Sequence, residues 1–121
     1  MNLWPGTCRR RDGPAHVASA VCSIDLDKGC SDVPDGAELV AGVRPHDIEV
    51  TSDGDGTGRV EIVEPLGPVT LIHLCVAGLP GEFVRVIVPS DTRIGVEDHV
   101  RFRIRRDRLH LFDGRTGRRL N

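Results

Sequence analysis

The chain has 121 residues, enough for one domain of ordinary size and too few for two independent cores. Val and Ile number 22 against 16 for Leu and Ala, with no Gln and a single Lys, a bias toward pleated sheet and away from helix. The net charge is -2, no stretch nears the roughly 20 apolar residues of a membrane span, and residues 1–6 lack the basic start and apolar run of a signal peptide. The expectation is a soluble, all-β single domain over residues 1–121.

In chain order, residues 7–10 and 15–24 are expected to pair as a hairpin around Asp12-Gly13-Pro14, whose residue types favour turns. Residues 25–36 are acidic and polar and read as a loop. Residues 38–43 read as a strand, and Pro45 rules out an undisturbed helix beyond it. A short strand at 48–51 precedes Ser52-Asp53-Gly54-Asp55-Gly56-Thr57-Gly58, a run read as flexible. Further strands are expected at 59–66, 69–76, 83–89, 100–105 and 109–112. Strands at this regular spacing, separated by Gly67-Pro68 and Gly78-Leu79-Pro80-Gly81, imply a small sandwich or a closed barrel.

Residues 101–121 carry 8 Arg against Asp107 and Asp113, a basic end to an otherwise acidic chain. Arg101, Arg103 and Arg105 alternate with Phe102 and Ile104, so the charge reads first as the solvated face of a strand. An oligonucleotide-binding barrel would need exposed aromatics for base stacking beside that charge. With Phe102 turned inward and no Tyr in the chain, that platform is missing, and no nucleic-acid partner is expected.

Catalysis finds no motif. The only lysine, Lys28, precedes Gly29 rather than Ser or Thr, so no phosphate-binding loop is present. No serine sits in a G-x-S-x-G elbow, and the five histidines form no H-x-x-x-H pair. Asp53, Asp55, Thr57, Gly58 and Glu64 match positions of a calcium loop. Val60-Glu61-Ile62, however, alternates like a strand where such a loop needs a helix to follow. Cys8, Cys22, Cys30 and Cys75 form no C-x-x-C couple and are expected as free thiols. No cofactor, metal site or catalytic residue is expected.

Four segments in order carry a resemblance: residues 1–6 (Met-Asn-Leu-Trp-Pro-Gly), Gly42-Val43-Arg44-Pro45-His46-Asp47-Ile48, Val63-Glu64-Pro65-Leu66-Gly67 with Thr70 and His73, and Arg108-Leu109-His110-Leu111-Phe112-Asp113. Together they resemble the C-terminal regulatory (TOBE, transport-associated OB) domain of ABC importer ATPases of the maltose and glycerol-phosphate type. Two positions depart from that pattern: His46 stands where Glu is usual, and Arg106-Asp107 replaces a common Pro-Glu.

The resemblance implies a small OB-like barrel of antiparallel strands with an additional N-terminal strand hairpin. It implies a cytoplasmic location at the inner face of the membrane, an ATPase domain outside this chain and membrane-bound transporter subunits as neighbours. It also implies a weak homodimer and a docking surface for a regulatory protein. Some relatives bind small oxyanions, but no segment here resembles the molybdate-binding motif. The alternative is a free-standing OB module for a small ligand or an oligonucleotide.

The residues expected to bind or to form an interface are Arg44, His46, Asp47, Glu64, Gly67, Ile72 and Leu74. Glu64 shares a strand face with Val60 and Ile62, where an unpaired carboxylate is costly, so either a nearby Arg such as Arg44 or a bulge is required. Gly67-Pro68 makes a rigid corner. Residues 69–76 are apolar on both faces, Val69, Leu71 and Cys75 on one and Ile72, Leu74 and Val76 on the other. A barrel strand needs only one such face, so the N-terminal hairpin or a second copy must cover the other.

Overall fold

The computed structural model describes residues 1–10, 15–21, 23–25, 33–79 and 81–120. Within them the chain forms β1 (Asn2–Arg9), β2 (His16–Ser19), β3 (Ile24–Asp25), β4 (Glu38–Val43) and β5 (Ile48–Val50). These are followed by β6 (Gly56–Pro65), β7 (Val69–Cys75), β8 (Phe83–Pro89), β9 (His99–Ile104) and β10 (His110–Asp113). Single 3-10 turns at Pro45–Asp47 and Arg106–Arg108 complete the set. The all-β expectation holds, and Pro45 opens a 3-10 turn rather than a helix.

Two five-stranded antiparallel sheets result, in the orders β10-β4-β1-β2-β3 and β5-β9-β6-β7-β8. The second curls until β8 approaches β5 and the Pro45–Asp47 turn, which makes a nearly closed barrel. The expected N-terminal hairpin exists as β1 and β2, with Arg9 opposite His16, while its turn lies outside the described residues. It is not a separate appendage, because β4 and β10 extend it into the first sheet.

β1 begins at Asn2, earlier than expected, and runs through Pro5-Gly6. Pro5 pairs with Val40 on the β4 side, and β1 meets β2 only from Gly6 onward. The missing proline N–H therefore falls where no second neighbour needs it. Gly6 allows β2 to come close, since a Cβ there would lie 2.6 Å from Val17 Cγ1.

A second correction concerns residues 52–58. The turn occupies only its first half, and Gly56-Thr57-Gly58 opens β6, paired with Phe102, Arg101 and Val100 of β9. Thr57 and Glu64 thus sit on one extended strand, not around a curled cation loop. The arginines of β9 are exposed and Phe102 and Ile104 buried, as their alternation requires.

The core holds Trp4, Phe102, Leu39, Ile48, Ile72, Leu74 and Leu111. Ile72 and Leu74 are fully buried inside the barrel, opposite Val86 and Val84 of β8. They are not interface residues. The outward apolar face of β7 is the other one, Val69, Leu71 and Cys75.

One polar contact ties the sheets across the seam. The Asn2 amide is buried; its Nδ2 donates to the Arg85 carbonyl at 2.7 Å, and the Arg85 N–H donates to Asn2 Oδ1 at 2.8 Å. A side-chain amide here replaces a neighbouring strand for the free edge of β8. We expect Asn2→Leu to leave both Arg85 backbone groups without partners and to cost about 2–4 kcal/mol. Urea denaturation tests this, and a loss below 0.5 kcal/mol, within the scatter of ordinary surface substitutions, would show that water replaces the amide.

Candidate functional site

The expected site residues fall in four places. Arg44, His46 and Asp47 share the 3-10 turn at the barrel seam. There the Arg44 carbonyl accepts the Asp47 N–H at 3.0 Å and the Asp47 carbonyl accepts the Arg105 N–H at 3.0 Å. His46 is exposed, with Nε2 3.6 Å from Oδ2 of the buried Asp47. Gly67 forms the β6–β7 corner at φ +88, with open space around it. Ile72 and Leu74 lie in the core. Glu64 belongs to a fourth location, the outer surface of β6–β7–β8.

That surface is assembled by register. Between Val60 and Ile62 a bulge shifts the pairing of β6 with β7, so that Ile62 faces His73 and Glu64 faces Leu71. The extra residue turns Ile62 and Glu64 to the outside while Val60 stays in the core. On the far side, β8 places Phe83 beside Cys75, Arg85 beside His73 and Ile87 beside Leu71. The outer face thus runs across three strands in aligned rows.

His73 sits at its centre. The side chain is buried, its Nε2 lies 3.1 Å from Glu64 Oε1, and its ring meets Phe83 edge-on at 5.8 Å and 87°. With a carboxylate as partner, Nε2 carries the hydrogen and donates, which leaves Nδ1 as the other ring position. Nδ1 is buried without a hydrogen-bond partner. Glu64 therefore takes His73 rather than Arg44 as its partner. His73 is buried from the outer side of the sheet, by Phe83 and its neighbours.

Further along the same face, Arg59 pairs with Glu61 and sits beside Cys75. The Glu61 hydrogen bond and charge raise the guanidinium's affinity for its proton. Cys75 is half-buried and Cys8 buried, and both are free thiols.

A separate concavity of about 360 Å³ opens at the end of β9, lined by Arg103, Arg105 and Arg106 and by Asp53, Asp55 and Asp107. Its charges cancel locally. Arg103 reaches Glu49 at 3.4 Å and Asp53 at 3.6 Å, Arg106 reaches Asp25 at 3.4 Å, and Arg105 reaches Asp107 at 3.8 Å. The Thr51 hydroxyl, first, and then Arg103 hold the Asp53 carboxyl below the usual aspartate range. Backbone N–H groups of Arg115 and Thr116 do the same for Asp113 in the turn after β10. Among the described residues no group of three His, Cys, Asp or Glu side chains could hold a metal ion. No helix among them is long and apolar enough to cross a membrane.

Comparison with known proteins gives consistent relatives. The chain is 39% identical over 117 residues to the alpha-glucoside transport ATP-binding protein AglK of Rhizobium meliloti (strain 1021), which covers 93% of this chain and 32% of that protein. It is 28% identical over 108 residues to the sn-glycerol-3-phosphate import ATP-binding protein UgpC of Vibrio vulnificus (strain CMCP6), covering 85% of this chain and 27% of the relative. The chain thus spans about a third of the length of these curated relatives or less. In fold it is similar to the cytoplasmic molybdate-binding protein ModG, solved with molybdate bound. That match has a TM-score of 0.67 at 17% identity and covers 92% of this chain and 94% of the other. The Pro45–Asp47 turn, the bulged β6, the Gly67 corner and the His73 row all fall within residues 41–112, the span that matches the TOBE domain, and the chain belongs to the TOBE domain family.

Proposed function

We propose that this chain is the non-catalytic regulatory and self-association domain of the ATP-binding subunit of an ABC importer for a sugar or related solute. The observation that carries this reading is the match to a transport ATP-binding protein across 93% of this chain but only 32% of that relative. ATP hydrolysis then belongs to another part of the assembly, in the cytoplasm at the inner face of the membrane, beside membrane-bound transporter subunits. The barrel contributes surfaces for a twin domain and for a regulatory protein. Its only lysine precedes a glycine, so the chain has no ammonium placed for the outer phosphates of a nucleotide.

Two measurements test the reading. The coding sequence upstream of Met1 is expected to continue in frame to a Gly-rich loop ending in Lys-Ser or Lys-Thr; an in-frame stop codon would favour the free-standing alternative. Calorimetry with the isolated chain is expected to show no ATP binding at micromolar concentration. Micromolar affinity that is lost on mutating a residue of this chain would overturn the non-catalytic assignment.

A further inference from the structure

We propose that the concavity at the end of β9 binds an uncharged polyhydroxy compound, a mono- or disaccharide in size, through hydroxyl groups that bridge its arginine and aspartate side chains. The site stands on this cavity and is independent of the transport assignment above. At about 360 Å³ the cavity lies at the lower end of the range of small-ligand sites, about 300–1,000 Å³. One wall is the link between β5 and β6, which crosses β9 at Phe102 and carries Asp53 and Asp55. The other is the 3-10 turn after β9, with Arg106 and Asp107. Arg103 and Arg105 stand between these walls, Ser23 adds a hydroxyl from the lead into β3, and Ile104 is the apolar residue of the lining.

The balance of charge excludes a simple ion as the matched ligand. Arg103 serves Glu49 and Asp53, Arg106 serves Asp25, and Asp107 is shared by Arg105 and Arg108. Asp55, and Arg101 next along the outer side of β9, meet no opposite charge among the described residues. Asp47 gives its carbonyl to the Arg105 N–H and keeps its buried carboxylate beside His46. Guanidiniums and carboxylates around the cavity are therefore equal in number. An anion would meet the carboxylates and a cation the guanidiniums, and neither gains net attraction. What the cavity offers is hydrogen bonding. The Arg105–Asp107, Arg108–Asp107 and Arg103–Asp53 pairs stand at 3.8, 3.9 and 3.6 Å, longer than the about 2.7–2.9 Å of a direct charged hydrogen bond. A guanidinium only donates and a carboxylate only accepts, whereas a hydroxyl does both. One hydroxyl oxygen at the apex of such a pair, about 2.8 Å from each member, accepts from the arginine and donates to the aspartate. Neighbouring hydroxyls on one sugar ring repeat that bridge from pair to pair, while the C–H face of the ring lies against Ile104. A single polyol ordering several bridges at once costs less immobilisation entropy than separate waters making the same ones.

Titration of the isotope-labelled chain with maltose, followed through its backbone amide resonances, tests the site. The amides of residues 53–55 and 103–107 are expected to shift, with a dissociation constant of about 1 mM or tighter. Asp55→Ala and Arg105→Ala remove exposed side chains and are each expected to weaken binding about fivefold or more, while Glu82→Ala, in the β7–β8 turn, binds as the wild type does. Glucose 6-phosphate and glycine betaine present the anionic and the zwitterionic alternatives, and each is expected to bind at least about fivefold more weakly than maltose. No shift at about 50 mM maltose, or shifts confined to other parts of the chain, would overturn the site. Maltose affinity unchanged in either of the two cavity variants would do the same. Tighter binding of either charged probe than of maltose would overturn the uncharged class of ligand.

Discussion

Ile72→Glu is expected to unfold the chain at neutral pH. Ile72 is fully buried, packed on β7 opposite Val63 of β6 and Val86 of β8, with no polar side chain in its row. Losing the isoleucine forfeits about 1.5–3 kcal/mol of apolar burial, and an unpaired carboxylate in the same space adds several more. The sum is comparable with the whole stability of a small domain, about 5–15 kcal/mol. The introduced glutamate escapes by holding its proton, so its folded-state pKa is raised above its unfolded value. A group raised in this way destabilises least below the unfolded pKa and most as pH rises past the folded one. The variant should therefore recover structure toward pH 4 and lose it toward pH 7. Leu71→Thr, one residue away on the outer face, should cost only about 1 kcal/mol. Circular dichroism and urea titration of the pair at both pH values decide the matter. Tolerance of Ile72→Glu together with a large loss from Leu71→Thr would mean that β7 has its faces reversed.

That contrast marks where the sequence stops being legible. The sequence pattern located β4 and β8 at their observed bounds, because each is an apolar run with a turn signal at either end. In β9 the arginines themselves named the outward side. β7 has two apolar faces, so its own pattern carries no direction. Its inward side is set by Val60 and Val63 of β6 and by Val84 and Val86 of β8, which no local window contains. The Glu64 conflict was visible as a carboxylate in an apolar row, and a bulge was one of two ways to resolve it. Choosing the bulge, and His73 as the partner, required the register that the bulge itself creates. Asn2 and Arg85 meet across 83 residues of chain, beyond any periodicity, so the seam they close had no sequence signal except a short motif at the start. The early start of β1 was hidden by Pro5-Gly6, residues that announce a turn and here occupy a strand edge and a close strand crossing.

The glycine-rich run before β6 misled in the same way, and it supplies the other large expected effect. Gly56→Ala should destabilise the domain by about 3 kcal/mol, in the range of overpacked cores. A Cβ at Gly56 would stand 2.4 Å from Cε2 and 2.5 Å from Cζ of Phe102, whose ring is fully buried and lies across the glycine from the paired strand. At Gly54 the obstruction is the Phe102 carbonyl oxygen, 2.3 Å from the added carbon, and no change of side chain removes it. These glycines are therefore space for one aromatic ring and its backbone, not a source of mobility. Gly67 provides the opposite case, with φ +88 and nothing within 4 Å; Gly67→Ala should cost about 1 kcal/mol through backbone strain alone. The two mechanisms separate in a double-mutant cycle with Phe102→Leu. Shortening the ring should relieve part of the Gly56→Ala cost, making the double variant at least 1 kcal/mol more stable than the sum of the two changes, and should leave the Gly67→Ala cost unaltered. Additivity at Gly56 within about 0.5 kcal/mol would mean that the ring is not what the glycine makes room for.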